Sequence, residues 1–193
     1  MKTIYKLYYA ILYPIIWLLF AIKPINRENV PEGPALVCAN HSSYLDIPLL
    51  SFAFGIKHYL RYVAKKELLE IPVFGWLIKK AGTIGIGRGK ADISAIKEIM
   101  RALKEGYKVA IFPEGTRVRD DSAAAKTGAI MIAAKTGVPL IPVNISRKKR
   151  LFRKTTIIIG QPYRLERIKG GTEAYESYAS DLMSRINNLR NEK

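Results

Sequence analysis

The sequence predicts an α/β sandwich on a substantially parallel sheet, and two observations carry that reading. Short apolar runs alternate along the chain with stretches of helical period, the pattern that lays helices on the faces of parallel strands. The chain has 193 residues, 49% of them hydrophobic and 25% charged. That is enough for one sizeable core, and it excludes a disordered or collagen-like protein.

The elements follow in order. Residues 7–22 carry no charge, and the basic residues Lys2, Lys6, Lys23 and Arg27 flank them with no acidic residue before Glu28. This run falls short of the roughly twenty residues a spanning helix wants. It has Pro14 in its middle, and Tyr8, Tyr9, Tyr13 and Trp17 favour the headgroup boundary. A signal peptide fits poorly, because no small-residue cleavage site precedes Lys23-Pro24. Three readings stay open: an in-plane interfacial anchor, a marginal spanning helix, and a core helix of the domain. The in-plane anchor is favoured, which divides the chain into a membrane-associating helix over 1–27 and one domain over 28–193.

A turn over 28–34 leads to a strand at 35–39, a polar loop at 40–46 and a helix at 47–54. A strand is expected at 59–64, one or two short helices within 65–82 broken at Pro72 and Gly75, and a strand at 83–86. Ile93, Ile96, Ile99, Met100 and Leu103 mark a helix over 92–105 that Gly106 stops. A strand at 107–112, a helix at 123–136 ending at Gly137, strands at 140–145 and 156–159, and a polar helix at 173–188 complete the series. No repeat, low-complexity segment or composition break indicates a second domain.

Charge narrows the partners. Thirty-two Lys+Arg against sixteen Asp+Glu give +16, a field that attracts nucleic acid, anionic membranes, phosphorylated substrates or an acidic carrier protein. The first 27 residues hold +4 of this and residues 147–169 hold +8, with nine basic residues and one acidic. The run 147–154, RKKRLFRK, reads as a solvated face or as an electrostatic landing site on an anionic leaflet. A nucleic-acid-binding protein would use that run, yet it leaves the apolar N-terminus unexplained, and no nucleic-acid module is present. The single cysteine, Cys38, excludes an intramolecular disulfide framework and suits a reducing compartment.

The chemistry-bearing residues are few. His58 reads as a surface or packing residue. His41 follows an apolar strand in a polar loop, five residues before Asp46, and Ser43 to Asp46 resembles a capping box that would start a helix at Ser43. Asp46 then folds back to one ring nitrogen of His41 and leaves the other free as a base. Ser42 and Ser43 lie outside a nucleophile elbow, and Cys38 lies in a strand. A His–Asp pair without a protein nucleophile points to direct deprotonation of a substrate hydroxyl. Metal ligands at zinc-like spacing are lacking, so no metal is expected. The glycine-rich loop 82–90 matches neither phosphate-loop template but offers Arg88 as a phosphate contact ahead of a helix. Phe112-Pro-Glu-Gly-Thr-Arg117 follows a strand; Arg117 suits a phosphate, with Glu114 orienting it or holding a substrate hydroxyl.

Together these blocks resemble the lysophosphatidic acid acyltransferase family, the PlsC-like glycerolipid acyltransferases. Asn40 to Asp46 resembles its H-x4-D motif, Gly82 to Gly89 its second block, Phe112 to Arg117 its substrate-phosphate motif, and Val138 to Val143 its fourth block. Ala64 to Leu68 and Lys126 to Gly128 are also similar. The resemblance covers about 28–161 and implies a glycerol-3-phosphate acyltransferase-like α/β fold behind an N-terminal membrane-anchoring helix. It implies His41 as general base, with Asp46 as its orienter. Arg88, Arg117 and Lys65 would hold a substrate phosphate, beside Glu114, Gly115 and Thr116. Apart from the resemblance, backbone N–H groups near Gly115 are expected to meet the oxyanion. The implied reaction takes an acyl chain from acyl carrier protein or coenzyme A to the 2-hydroxyl of 1-acylglycerol 3-phosphate. It needs no cofactor beyond that thioester and no nucleic acid, and it places the protein on the cytoplasmic face of the cell membrane, peripheral or monotopic. Other acceptors within the family are glycerol 3-phosphate, a lysophospholipid or an aminolipid. Glycines in the second block, where the family usually has bulkier residues, depart from its pattern.

Overall fold

The computed structural model describes residues 2–87, 92–118, 124–166 and 168–191, with side chains from Tyr5 onward. In chain order the strands are β1 (Ile22–Ile25), β2 (Ala35–Ala39), β3 (Leu60–Lys65), β4 (Ile84–Ile86), β5 (Lys108–Ile111), β6 (Leu140–Ile145) and β7 (Thr155–Ile159). They form a seven-stranded sheet in the order β1-β7-β6-β2-β5-β3-β4. Every neighbouring pair is parallel except β6 with β7.

The helices are α1 (Lys2–Phe20), α2 (Asp46–Phe54), α3 (Lys66–Glu70), α4 (Phe74–Lys80), α5 (Ile93–Lys104), α6 (Gly128–Thr136) and α7 (Thr172–Asn188). Strands β2 and β6 are buried at every position, because helices cover both faces. The period-two alternation of a strand sorts their side chains between two cores. Val37, Ala39, Ile141 and Val143 face α1 and α2, packing with Leu49, Leu50 and Phe52. Leu36, Cys38 and Leu140 face α5, α6 and α7, packing with Ile99, Ile130, Leu182 and Ile186.

The N-terminal segment differs most from its sequence reading. Residues 22–25 are a strand at the sheet edge, parallel to β7, so the sheet reaches into the segment read as a membrane helix. An edge is where a strand tolerates a residue such as Pro24 that cannot donate to the ladder. Helix α1 has two apolar faces. Tyr5 and Phe20 are buried, and Tyr8, Tyr9 and Tyr13 surround the Phe52 ring at centroid distances of 5.8, 5.1 and 5.2 Å. The opposite row, Leu7, Ile11, Ile15 and Leu18, is exposed. No helix among the described residues is long and apolar enough to cross a membrane.

Smaller differences have local causes. Gly75 lies within α4 and does not break it; a Cβ there would sit 2.2 Å from the Leu69 carbonyl oxygen, so only glycine lets α3 and α4 meet. Ile93 opens α5 but is exposed, and Ala95, Ile99, Ala102 and Leu103 form the buried stripe. The start expected at 123 lies outside the described residues; α6 begins at Gly128, and just ahead of it Lys126 N–H donates to the Pro113 carbonyl of the turn after β5.

Candidate active site

The loops that follow β2, β5 and β6 leave the same edge of the sheet, their strands being parallel neighbours in the order β6-β2-β5. Open α/β sheets bind their ligands at this carboxyl edge. Asn40, buried at the end of β2, clamps the loop. Its amide donates to the Ile145 carbonyl at 2.9 Å and its Oδ1 accepts from Ile145 N–H at 2.6 Å.

His41 follows, its ring stacked on Phe112 at 4.0 Å and 16°. With the proton on Nδ1, the ring donates to Asp46 Oδ2 at 3.0 Å, which leaves Nε2 as the base. The same Oδ2 accepts from Ser42 N–H at 2.6 Å and Ser43 N–H at 2.7 Å. This is half of the expected capping box, the acidic side chain reaching back to the backbone. In the other half Ser43 Oγ accepts from Leu45 N–H, and regular helix begins at Asp46 instead of Ser43. Burial raises the Asp46 carboxyl, but His41, Lys149 and Ser42 outweigh it and hold the group below the usual carboxylate range.

Glu114 turns inward instead of toward Arg117. Its Oε2 accepts from His41 N–H at 2.8 Å and its Oε1 from Arg147 Nη2 at 3.0 Å. Burial raises its carboxyl above the usual range despite these two donors. Arg147 also donates to the Val118 carbonyl, and Val118 N–H donates to the His41 carbonyl, which closes a ring of contacts behind the histidine.

Gly115 sits at φ +68°, where a Cβ would lie 2.7 Å from Lys126 Cε, so the turn admits glycine and brings a lysine over it. Its N–H donates to the Phe112 carbonyl and is committed to the turn, not to an oxyanion. Thr116 and Arg117 are exposed at the rim, the Arg117 guanidinium 3.8 Å over the Tyr44 ring. Lys65 ends β3 and pairs in register with Ile86, two residues before Arg88. Arg88 lies outside the described residues; Gly87 N–H beside it is held by Asp92, the N-cap of α5.

The other nucleophiles stand apart. Cys38 is buried, and burial alone pushes its thiol up to about 12. Ser42 Oγ accepts from Lys149 Nζ at 2.8 Å, and Ser43 Oγ serves the turn. His58 lies just ahead of β3, at the opposite edge of the sheet. Lys149 and Arg147 are the residues the sequence reading missed, because both lie in a basic run taken as solvated or lipid-facing. Four consecutive basic residues at 147–150 carry no sequence signal of which turn inward; past the end of β6 the structure half-buries Arg147 and Lys149 and exposes Lys148 and Arg150.

The model of the acyltransferase family matches residues 21–146, a span holding His41, Asp46 and the whole turn from Phe112 to Arg117. The chain belongs to the acyltransferase family. This acyltransferase is 34% identical over 184 residues to the 1-acyl-sn-glycerol-3-phosphate acyltransferase of Bacillus subtilis, a match covering 87% of this chain and 91% of that one. To the lyso-ornithine lipid O-acyltransferase of Pseudomonas aeruginosa it is 39% identical over 123 residues, which are 63% of this chain and 46% of that one. The crystal structure of the 1-acyl-sn-glycerophosphate acyltransferase PlsC from Thermotoga maritima aligns with a TM-score of 0.69 and 26% identity, over 99% of this chain and 77% of that one. The acyltransferase thus has the mostly parallel, helix-flanked sheet that the sequence predicts.

Proposed function

We propose that this acyltransferase moves an acyl chain from a thioester to the 2-hydroxyl of 1-acylglycerol 3-phosphate, giving phosphatidic acid and a free thiol. The carrying observation is His41, whose Nδ1–H is committed to buried Asp46 while, among the described residues, no serine or cysteine is bonded to the ring. The free Nε2 takes the hydroxyl proton as the oxygen attacks the thioester carbonyl. When the tetrahedral intermediate collapses, the proton passes to the departing thiolate. Arg117 and Thr116 at the rim, with Lys65 and Arg88, hold the phosphate; Glu114 and Gly115 shape the turn that presents them. No metal or cofactor enters beyond the acyl donor, which is acyl carrier protein or coenzyme A; a +16 chain attracts either anion. The Bacillus relative's name supports the acceptor.

The membrane reading belongs to the same proposal. The exposed row Leu7, Ile11, Ile15 and Leu18 on α1 lies in the plane of the cytoplasmic leaflet, with residues 2–20 as the interfacial element. Leu151 and Phe152, exposed at the tip of the basic turn, join it; Phe152 N–H donates to the Leu19 carbonyl at the end of α1. A second reading, an aminolipid acceptor, is favoured by the likeness to the lyso-ornithine enzyme. Vesicles carrying lysophosphatidic acid, glycerol 3-phosphate or a lyso-ornithine lipid, supplied with each thioester, decide between them. Phosphatidic acid as the fastest product is the expected result, and acylated ornithine lipid alone would overturn it.

A further inference from the structure

Asp46 is fully buried, and one of its oxygens already serves His41 and two backbone N–H groups. The other, Oδ1, takes no conventional hydrogen bond among the described residues, yet the Lys149 ammonium lies 2.6 Å away. A buried carboxylate without a counter-cation is costly, so this contact is part of how the dyad is built. The Lys149 side chain is only 5% exposed, whereas Lys148 and Arg150 on either side of it are exposed. Its turn is braced on both sides, by Arg147 on Glu114 and Val118 and by Phe152 on Leu19.

We infer that Lys149 is a positioning residue of the acyl transfer: its ammonium holds the Asp46 carboxylate against His41 and cancels its charge. The inference rests on the transfer proposed above. Charged groups face His41 from several elements. Asp46 comes from α2, Glu114 from the turn after β5, and Arg147 and Lys149 from the β6–β7 turn, while Arg117 and Lys126 stand at the rim. Arg147 answers Glu114, and Lys149 answers Asp46. An unanswered Asp46 would trap a proton on His41 and occupy the base before the acceptor arrives. The basic run therefore does more than meet a membrane; its inward-facing members set the charge of the site.

The test uses the full chain in detergent with labelled imidazoles, followed by NMR across pH. Two histidines give two signals, and His58→Asn assigns them. Lys149→Gln, which keeps a donor and removes the charge, should move the His41 midpoint up by about one pH unit, and the acid limb of kcat/KM with it. Lys149→Arg should move neither. An unmoved midpoint in Lys149→Gln, an equal shift in both variants, or a raised KM with both profiles unmoved would overturn the inference. Should Lys149→Gln melt lower than wild type, Asp46→Asn/Lys149→Gln should regain stability, and no regain would overturn the pairing. The titration involves no substrate. Absence of phosphatidic acid from wild type would therefore overturn the proposed function alone.

Discussion

The carboxylates behind His41 and the groups in front of it live under opposite conditions. Asp46 and Glu114 are buried and paired with Lys149 and Arg147; Thr116 and Arg117 are exposed at the rim, the guanidinium resting on the Tyr44 ring. Both conditions meet within one turn, where only Gly115 and Thr116 separate Glu114 from Arg117. Buried, compensated charges hold a base in one orientation, because breaking any pair strands its partner in low dielectric. A rim cation costs little to leave in water and so remains available to an anionic ligand.

That contrast orders the expected effects. His41→Ala should lower kcat about a thousandfold, with a melting temperature within a few degrees of wild type, since the ring contributes a stack on Phe112 and one hydrogen bond to Asp46, which keeps Ser42 N–H, Ser43 N–H and Lys149; circular dichroism and a product assay check both. Glu114→Ala should cost about 3 kcal/mol of stability, because it removes the buried carboxylate that accepts from both His41 N–H and the Arg147 guanidinium. Arg117→Ala, three residues on, should leave the melt unchanged and raise KM for the lysolipid about tenfold. If the two variants behaved alike, the division between interior and rim would fail. On α1, Leu18→Ser should weaken binding to anionic vesicles several-fold in a sedimentation assay, while Leu12→Ser, on the face packed against the core, should lower the melting temperature instead.

The smallest effect concerns pH. The Asp46 carboxyl is held below its ordinary value of 3.8, so its contribution to stability is full above that value and fades as pH falls through the folded one. Glu114 is displaced upward, so its protonation in acid favours the fold. Thermal melts should therefore lose less stability between about pH 5 and pH 2 in Asp46→Asn than in wild type, and more in Glu114→Gln.

Much of the fold was legible because its strands are short, apolar and buried on both faces. Strands β2 and β6 begin and end where the sequence predicts. Strand β1 was not, since four residues containing Pro24 at the end of an apolar run carry no strand signature of their own. In the site, the His41–Asp46 contact follows from a five-residue spacing within one loop and helix start, which is local information. The partners of Asp46 and Glu114 come from a turn more than a hundred residues away in one case and 33 in the other. Only the register of β6 beside β2 brings Lys149 and Arg147 there, and a run of lysines and arginines conceals which two point inward.

In the proposed transfer His41 acts on the acceptor's hydroxyl, and no acyl group is ever carried by the protein. Intact-mass spectrometry of the chain mixed with an acyl thioester, without acceptor, tests this most directly. The mass should stay that of the unmodified protein, and product should form only when lysolipid is added. An acyl adduct on the chain that disappears into product on adding lysolipid would contradict it.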